Sequence, residues 1–163
     1  MSDPDARELT HQLPATLPSD LPVQELMRQL AENLDRTDQI VAEALAAWQE
    51  GRNVLLLSER TDHSATLAAL EALPPNAPRI VVATGRLVGA GFDHPPLDTL
   101  LLAMPVSWRG TLQQYAGRLQ RQQPGKTSVR IIDWLDLGHP IPQRMWDRRL
   151  RGYKAMGYAL LQS

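Results

Sequence analysis

The sequence predicts an α/β domain with a mainly parallel sheet flanked by helices. Four short segments rich in apolar residues are predicted as strands, at residues 53–58, 79–84, 99–104 and 128–134. Runs of this kind are typical of strands buried on both faces, as in parallel sheets. Helical spacing of apolar residues recurs over Leu26–Leu34 and Ile40–Trp48, and further helices are predicted at 63–72, 110–122 and 141–157. Strands that alternate with helices favour parallel pairing through helical crossovers.

Length and composition fit one ordinary globular domain. The chain has 163 residues, 43% of them apolar, and no cysteine, so disulfides and thiolate chemistry are excluded. No apolar run approaches the roughly 18 residues that a membrane span needs. We therefore expect a cytoplasmic protein that does not bind membranes. Residues 1–18 are polar and contain three prolines, which predicts a flexible N-terminal arm before a domain at 19–163.

Charge is distributed unevenly along the chain. Residues 1–78 carry 5 Lys/Arg against 13 Asp/Glu, whereas residues 79–163 carry 12 against 5. A basic half indicates a polyanionic partner such as nucleic acid or nucleotide phosphate. The alternative is that the acidic and basic halves pair with each other inside the fold.

The segments that follow the predicted strands contain residues suited to phosphate chemistry. Glycines at 85, 89 and 91 would let the backbone approach a phosphate or sugar closely, although such glycines are often plain turn residues. Asp93 could accept hydrogen bonds from ribose hydroxyls, or simply start a turn. On the next helix Arg118 and Arg121 are three residues apart and therefore share a face, where they could clamp a phosphate group or merely be solvated.

Two other motifs do not support a site. His63, His94 and His139 are too scattered to predict a metal centre. Gly125-Lys126-Thr127 is not a phosphate-binding loop, because the pattern requires glycine where Gln120 stands and the segment precedes a strand.

Taken in order, three segments resemble the C-terminal RecA-like lobe of a superfamily 2 helicase of the DEAD/DEAH type. NVLLLSERTDH resembles motif IV, IVVATGRLVGAGFDHPPLDTLLLAMP resembles motif V with its following strand, and GTLQQYAGRLQR resembles motif VI. The core of motif VI is Gln-x-x-Gly-Arg-x-x-Arg, which here is Gln114, Gly117, Arg118 and Arg121. The likeness extends over roughly residues 20–160.

The resemblance implies a share in an ATP site formed between two lobes. Arg118 and Arg121 match the arginine fingers that neutralise charge on the γ-phosphate, an effect of about 10³–10⁵ in rate. Gly91 and Asp93 match positions that meet the nucleotide sugar, and Gln114 matches the motif VI residue that contacts nucleotide or links the lobes. ATP with Mg²⁺ is therefore the implied cofactor, bound only together with a first lobe.

The resemblance also implies contact with the backbone of DNA or RNA. Ser58 and Arg60 fall where motif IV approaches nucleic acid, and Thr84 and Gly85 match the motif V residues that touch the strand. Contacts of this kind position a strand without reading its sequence.

The chain departs from the family in two respects. It contains neither a Gly-x-x-x-x-Gly-Lys-[Ser/Thr] loop nor an Asp-Glu box, so the N-terminal lobe that would supply them is missing or lies on a separate partner. The interval between Ser58 and Ile80 is also short, so we expect the sheet to lack one strand and one helix.

Three hypotheses follow from the sequence. The chain is either the second lobe of an ATP-dependent helicase or translocase, inactive alone, or a stand-alone module that binds nucleic acid or protein. In the second case a basic C-terminal helix would make the contact, through Arg144, Arg148, Arg149, Arg151 and Lys154. A third hypothesis is a homo-oligomer formed through an exposed sheet edge.

Overall fold

The computed structural model describes residues 4–57, 77–83, 95–105, 111–121 and 126–162. Within these ranges the chain forms a six-stranded parallel sheet and four helices. The elements in chain order are β1 (Asp5–Gln12), α1 (Val23–Glu32), α2 (Leu34–Gln49), β2 (Val54–Leu57), β3 (Ile80–Ala83), β4 (Thr99–Leu102), α3 (Thr111–Leu119), β5 (Arg130–Leu137), α4 (Pro140–Ala155) and β6 (Ala159–Gln162). The predicted fold class is confirmed.

The strand order is β3-β2-β4-β5-β1-β6, and every pairing is parallel. The connection from β1 to β2 passes through α2 on one face of the sheet. Those from β4 to β5 and from β5 to β6 pass through α3 and α4 on the other face and run in the opposite direction. Reversing both the direction and the face preserves the crossover handedness, as expected for a doubly wound sheet.

The four predicted segments become the strands β2, β3, β4 and β5. Strands β2, β4 and β5 are largely buried on both faces, whereas β3 exposes Val82. On one face Leu55, Leu100 and Ile131 pack beneath α3 and α4. On the other face Val54 and Trp134 pack against the apolar side of α2. Burial of one such side chain stabilises the fold by about 1.5–3 kcal/mol relative to its exposure.

Strand β1 was not predicted, since residues 1–18 were expected to be a flexible arm. The structure differs because β1 lies inside the sheet, with Asp5 opposite Arg130 of β5 on one side and opposite Ala159 of β6 on the other. Its polar side chains have partners elsewhere in the chain: Arg7 bonds Glu43 at 2.7 Å and Arg130 bonds Asp5 at 2.9 Å. Because its charged side chains are paired with these distant residues, a polar segment can form an internal strand.

The turn after β5 fixes the start of α4. Gly138 has φ +102°, and a Cβ added there would lie 2.9 Å from the Gln12 side chain, so glycine is required. The His139 side chain then caps α4 by accepting a hydrogen bond from Ile141 N at 3.2 Å, and Pro140 occupies the first turn. The β5–α4 turn is thereby packed against the end of β1.

In the part of the chain that is described, no helix combines the length and apolar character needed to cross a bilayer. The helix expected at 63–72, and with it the expected loss of one strand and one helix, concerns a segment outside the described residues.

Candidate functional site

Helix α3 carries the motif VI residues on a rigid support. Its inward face is buried in the core through residues spaced three and four apart, namely Leu112, Tyr115, Ala116 and Leu119. The Tyr158 hydroxyl, which burial keeps protonated by raising its pKa, donates to Ala116 O at 2.6 Å. The outward face therefore has a fixed orientation.

The end of α3 is held by a cation. Lys126 Nζ donates to Leu119 O at 3.0 Å and to Arg121 O at 3.2 Å. An ammonium group at a helix C-terminus satisfies carbonyls that lack helical partners and interacts favourably with the helix dipole. The backbone that carries Arg118 and Arg121 is thus anchored.

Neither of the two arginines is buried in the core. Arg121 is exposed and Arg118 is partly exposed. They lie toward the edge of the sheet where the strands begin, because the Gln120 side chain donates to Met156 O at 3.1 Å just ahead of β6. Ligands of parallel sheets usually bind where the strands end, whereas α3 carries these two guanidiniums toward the opposite edge.

Gln114 and Gly117 border a small cavity beside the arginines. The cavity has a volume of about 440 Å³ and is lined by Gln113, Gln114, Gly117 and Met156. Gln114 is exposed there. Gly117 packs against α4's C-terminal end, since an added Cβ would lie 3.3 Å from Met156 Cε. The structure therefore brings together the four residues of the motif VI core on one surface.

Six predicted site residues lie outside the described part of the chain. They are Ser58, Arg60, Thr84, Gly85, Gly91 and Asp93. The strands that lead into two of these segments end side by side, with Leu57 of β2 opposite Ala83 of β3. Their predicted roles remain predictions.

The basic helix α4 separates into a buried and an exposed part. Arg144, Arg148, Arg151 and Lys154 are all exposed. Arg149, which was grouped with them, is 1% exposed, so its assignment to a binding surface was wrong. Its position three residues after Trp146 and four before Tyr153, both buried, places it on the inward face of the helix.

Arg149 belongs to a buried cluster with Asp133 of β5. Arg149 Nε lies 2.8 Å from Asp133 Oδ2, and the Tyr153 hydroxyl donates to the same oxygen at 2.8 Å. Burial alone would lower the pKa of Arg149, but the Asp133 carboxylate raises that pKa above its ordinary value. A charge in the interior is tolerated when it is paired and hydrogen-bonded in this way.

A second buried cluster lies on the other face of β5. Arg36 Nε donates to Asp136 Oδ1 at 2.9 Å, and His11 Nδ1 lies 3.0 Å from the same atom. Arg36 also donates to Ala103 O at the end of β4. Burial opposes ionisation of Asp136, but hydrogen bonds from His11 and Arg36 bring its pKa below the ordinary value.

Both clusters have a signal in the sequence, the carboxylates of β5. The strand segment IDWLD places two carboxylates in an otherwise apolar run. Because a buried carboxylate requires a partner, such a run predicts a buried arginine or histidine elsewhere in the chain.

An apolar cavity lies elsewhere in the fold, and the described residues form no metal site. A cavity of about 720 Å³ lies between α1 and α2, with a largely apolar wall that includes Met27, Ile40 and Met104. Across the described ranges no three His, Asp or Glu side chains are grouped as a metal site would require.

Comparison with a solved structure identifies the fold. The crystal structure of T4 UvsW, a superfamily 2 helicase, matches 98% of this chain with a TM-score of 0.76 at 15% identity. The chain spans 41% of the length of UvsW. The fold is therefore that of a RecA-like helicase domain.

Sequence comparison shows the family to which the chain belongs. No known family profile matches it. It is 35% identical over 107 residues to the uncharacterized protein 108L of Invertebrate iridescent virus 3, a match that includes 65% of this chain and 94% of the viral protein. The chain belongs to the same family as protein 108L.

Proposed function

We propose that this chain acts as the second RecA-like lobe of an ATP-dependent helicase or translocase. The observation that carries the proposal is the outward placement of Arg118 and Arg121 on an anchored helix, beside Gln114 and Gly117. The helicase-like fold and the order of the motifs support it.

The exposed residues of α3 fit one wall of a nucleotide site. Two adjacent guanidiniums suit the phosphate end of ATP, since each offers several donors in a rigid plane. Gln114, one helical turn before Arg118, offers an amide on the same side of the helix. The loop that binds phosphates and Mg²⁺ would come from a first lobe, because this sequence has no such motif.

The test combines the chain with a first lobe. The chain alone is expected to show no ATP hydrolysis. A partner that carries the Gly-Lys-[Ser/Thr] loop, identified by crosslinking in the native cell, should hydrolyse ATP when the chain is added. Arg121→Gln should reduce that stimulated rate by about 10³-fold or more.

The matched control is Arg148→Gln, which removes the same charge from α4 and should leave the stimulated rate unchanged when that rate is measured without nucleic acid. Hydrolysis by the purified chain alone that Arg121→Gln does not affect would contradict the proposal. Equal loss in both variants would show that general charge, and not the position on α3, is responsible.

A second candidate function is a stand-alone module without enzymatic activity. The observation in its favour is the size of protein 108L, which is hardly longer than the 107 residues that match this chain. A protein of that length has room for at most one RecA-like lobe. This candidate gains support if no partner confers ATP hydrolysis while the chain binds nucleic acid by itself.

A further inference from the structure

The exposed cations of α4 form one continuous stripe. Arg144, Arg148 and Arg151 are spaced four and three residues apart, so they share the face opposite the buried Trp146 and Tyr153. Lys154 lies on the flank of the same face, one turn further. From Arg144 to Lys154 this basic stripe extends about 15 Å along the helix.

These four cations have no partner within the part of the chain that is described. None of their side chains forms an ion pair or hydrogen bond there, although Asp147 lies within one turn of Arg144 and Arg151. Other cations of the basic half are used internally: Arg149 pairs with Asp133, Arg130 with Asp5 and Lys126 with helix carbonyls. The fold thus neutralises some of its positive charge and, among the described residues, leaves the four cations of the basic stripe without an ion-pair partner, with one carboxylate, Asp147, beside them.

We propose that the basic stripe binds the phosphate backbone of double-stranded nucleic acid. Over 15 Å a duplex carries on the order of nine phosphate charges, which exceeds what four cations neutralise. The inference deepens the nucleic-acid part of the proposed function but does not depend on an ATP site. The stripe consists of other residues than Ser58, Arg60, Thr84 and Gly85, the positions that the helicase resemblance indicates.

The chemistry of the face favours a duplex over a single strand. Proteins that bind single strands usually stack bases on aromatic side chains. The aromatic residues of α4, Trp146 and Tyr153, are 3% and 1% exposed and point into the core. Only phosphate contacts are therefore available on the basic stripe.

The same face is poorly suited to a protein partner. Protein interfaces are built around apolar or aromatic anchors in a desolvated centre. The large apolar side chains that are exposed elsewhere, such as Val41, Trp48 and Leu161, include none from α4. An acidic protein would thus have charge but no anchor on this surface.

The experiment measures binding of the full chain to a fluorescent 20-base-pair duplex, without nucleotide, over a range of salt concentrations. Four phosphate contacts predict a slope of log K against log salt of about −3.6. The triple variant Arg144→Gln, Arg148→Gln, Arg151→Gln should reduce the slope to about −0.9. Glutamine has nearly the helix propensity of arginine, so the fold should be retained.

Three further variants make the result specific. The triple lysine variant at the same positions keeps the charge and should keep the wild-type slope. Arg60→Gln removes one charge from the region that the resemblance assigns to nucleic acid, and Arg121→Gln removes one from α3. If Arg60→Gln abolishes binding while the triple glutamine variant binds as wild type, the basic stripe is refuted and the helicase proposal survives.

Three other results would overturn the proposal, and a fourth would separate it from the second-lobe proposal. A single strand that binds as tightly as the duplex, or polyglutamate that competes as well as DNA at equal charge, would overturn the proposal. No binding at 20 mM salt would overturn it as well. Duplex binding that the triple glutamine variant loses, with ATP hydrolysis absent in every mixture, would support the basic stripe and contradict the second-lobe proposal.

Discussion

Arg149 and Asp133 are joined across the buried interface between α4 and β5, with Nε 2.8 Å from Oδ2. The pair explains why one arginine of a strongly basic helix is unavailable for binding. It also fixes the rotation of α4, because Tyr153 bonds the same carboxylate from one turn further along. The orientation of the basic stripe toward solvent depends on this contact.

Removing one partner of this pair should be costly. Arg149→Met leaves the Asp133 carboxylate buried without its cation, and we expect a loss of about 3–5 kcal/mol in the free energy of unfolding. Urea unfolding followed by tryptophan fluorescence measures it, since Trp134 adjoins Asp133. The control Arg148→Met lies on the exposed face and should change stability by no more than about 0.5 kcal/mol. Equal effects of the two substitutions would refute the buried pair, and adding Asp133→Asn to Arg149→Met should restore part of the loss.

Asp136 should make the stability dependent on acid pH. Its pKa is lowered in the folded state, so its stabilising contribution is complete above the unfolded value of about 3.9. That contribution is lost as the pH falls through the lower pKa of the folded state. Urea midpoints between pH 3 and pH 7 should therefore fall less steeply with acid in Asp136→Asn than in the wild type.

Asp98 is a control, because its pKa is shifted in the opposite direction to that of Asp136. Burial raises its pKa, so this group favours the folded state increasingly as the pH falls through that raised value. In Asp98→Asn the acid decline in stability should be steeper than in the wild type. The same direction of change in Asp98→Asn and Asp136→Asn would contradict the assigned pKa shifts.

Gly117→Ala should show whether this glycine is needed for packing against Met156 or for ATP hydrolysis. The new Cβ would lie 3.3 Å from Met156 Cε, the end of a flexible side chain that can shift by a few tenths of an ångström. Replacing glycine inside a helix gains up to about 1 kcal/mol, so thermal unfolding should show unchanged or raised stability. A fall in partner-stimulated ATP hydrolysis with stability intact would assign Gly117 to the nucleotide wall. A marked fall in stability would show that Met156 cannot move.

The edge strand β6 should permit weak self-association. Within the described residues β6 pairs only with β1, and Leu161 is 46% exposed. Unpaired strand edges recruit other strands, and a lysine on the edge opposes this. Light scattering should show a mass that rises with concentration in the wild type and stays monomeric in Leu161→Lys. A monomeric wild type at high concentration would exclude the homo-oligomer.

Local sequence was sufficient for those elements whose residues bury themselves without help from distant polar groups. The run VLLL of β2 and the run TLLL of β4 predict strands because almost any parallel sheet would bury them. The spacing of apolar residues in α3 likewise predicts its inward face. The motif VI residues could be assigned to one helix before any coordinates, although not to an edge of the sheet.

Strand β1 and the burial of Arg149 were not predicted, because both depend on partners distant in the sequence. The segment DARELTHQ of β1 looks like a polar arm until Glu43, Arg130 and Asp136 are placed beside it. Arg149 looked like its neighbours because a count of basic residues ignores helical phase. Reading α4 at 100° per residue, with Trp146 and Tyr153 as the inward face, would have identified the buried arginine from the sequence.

The interior position of β1 has a consequence for how the chain is made. Asp5 is synthesised more than a hundred residues before either of its neighbouring strands. Strand β1 therefore stays unpaired until β5 and β6 have both been synthesised, and contacts so distant in sequence close slowly. Until then the two open edges of β1 are expected to make the nascent chain prone to wrong strand pairing.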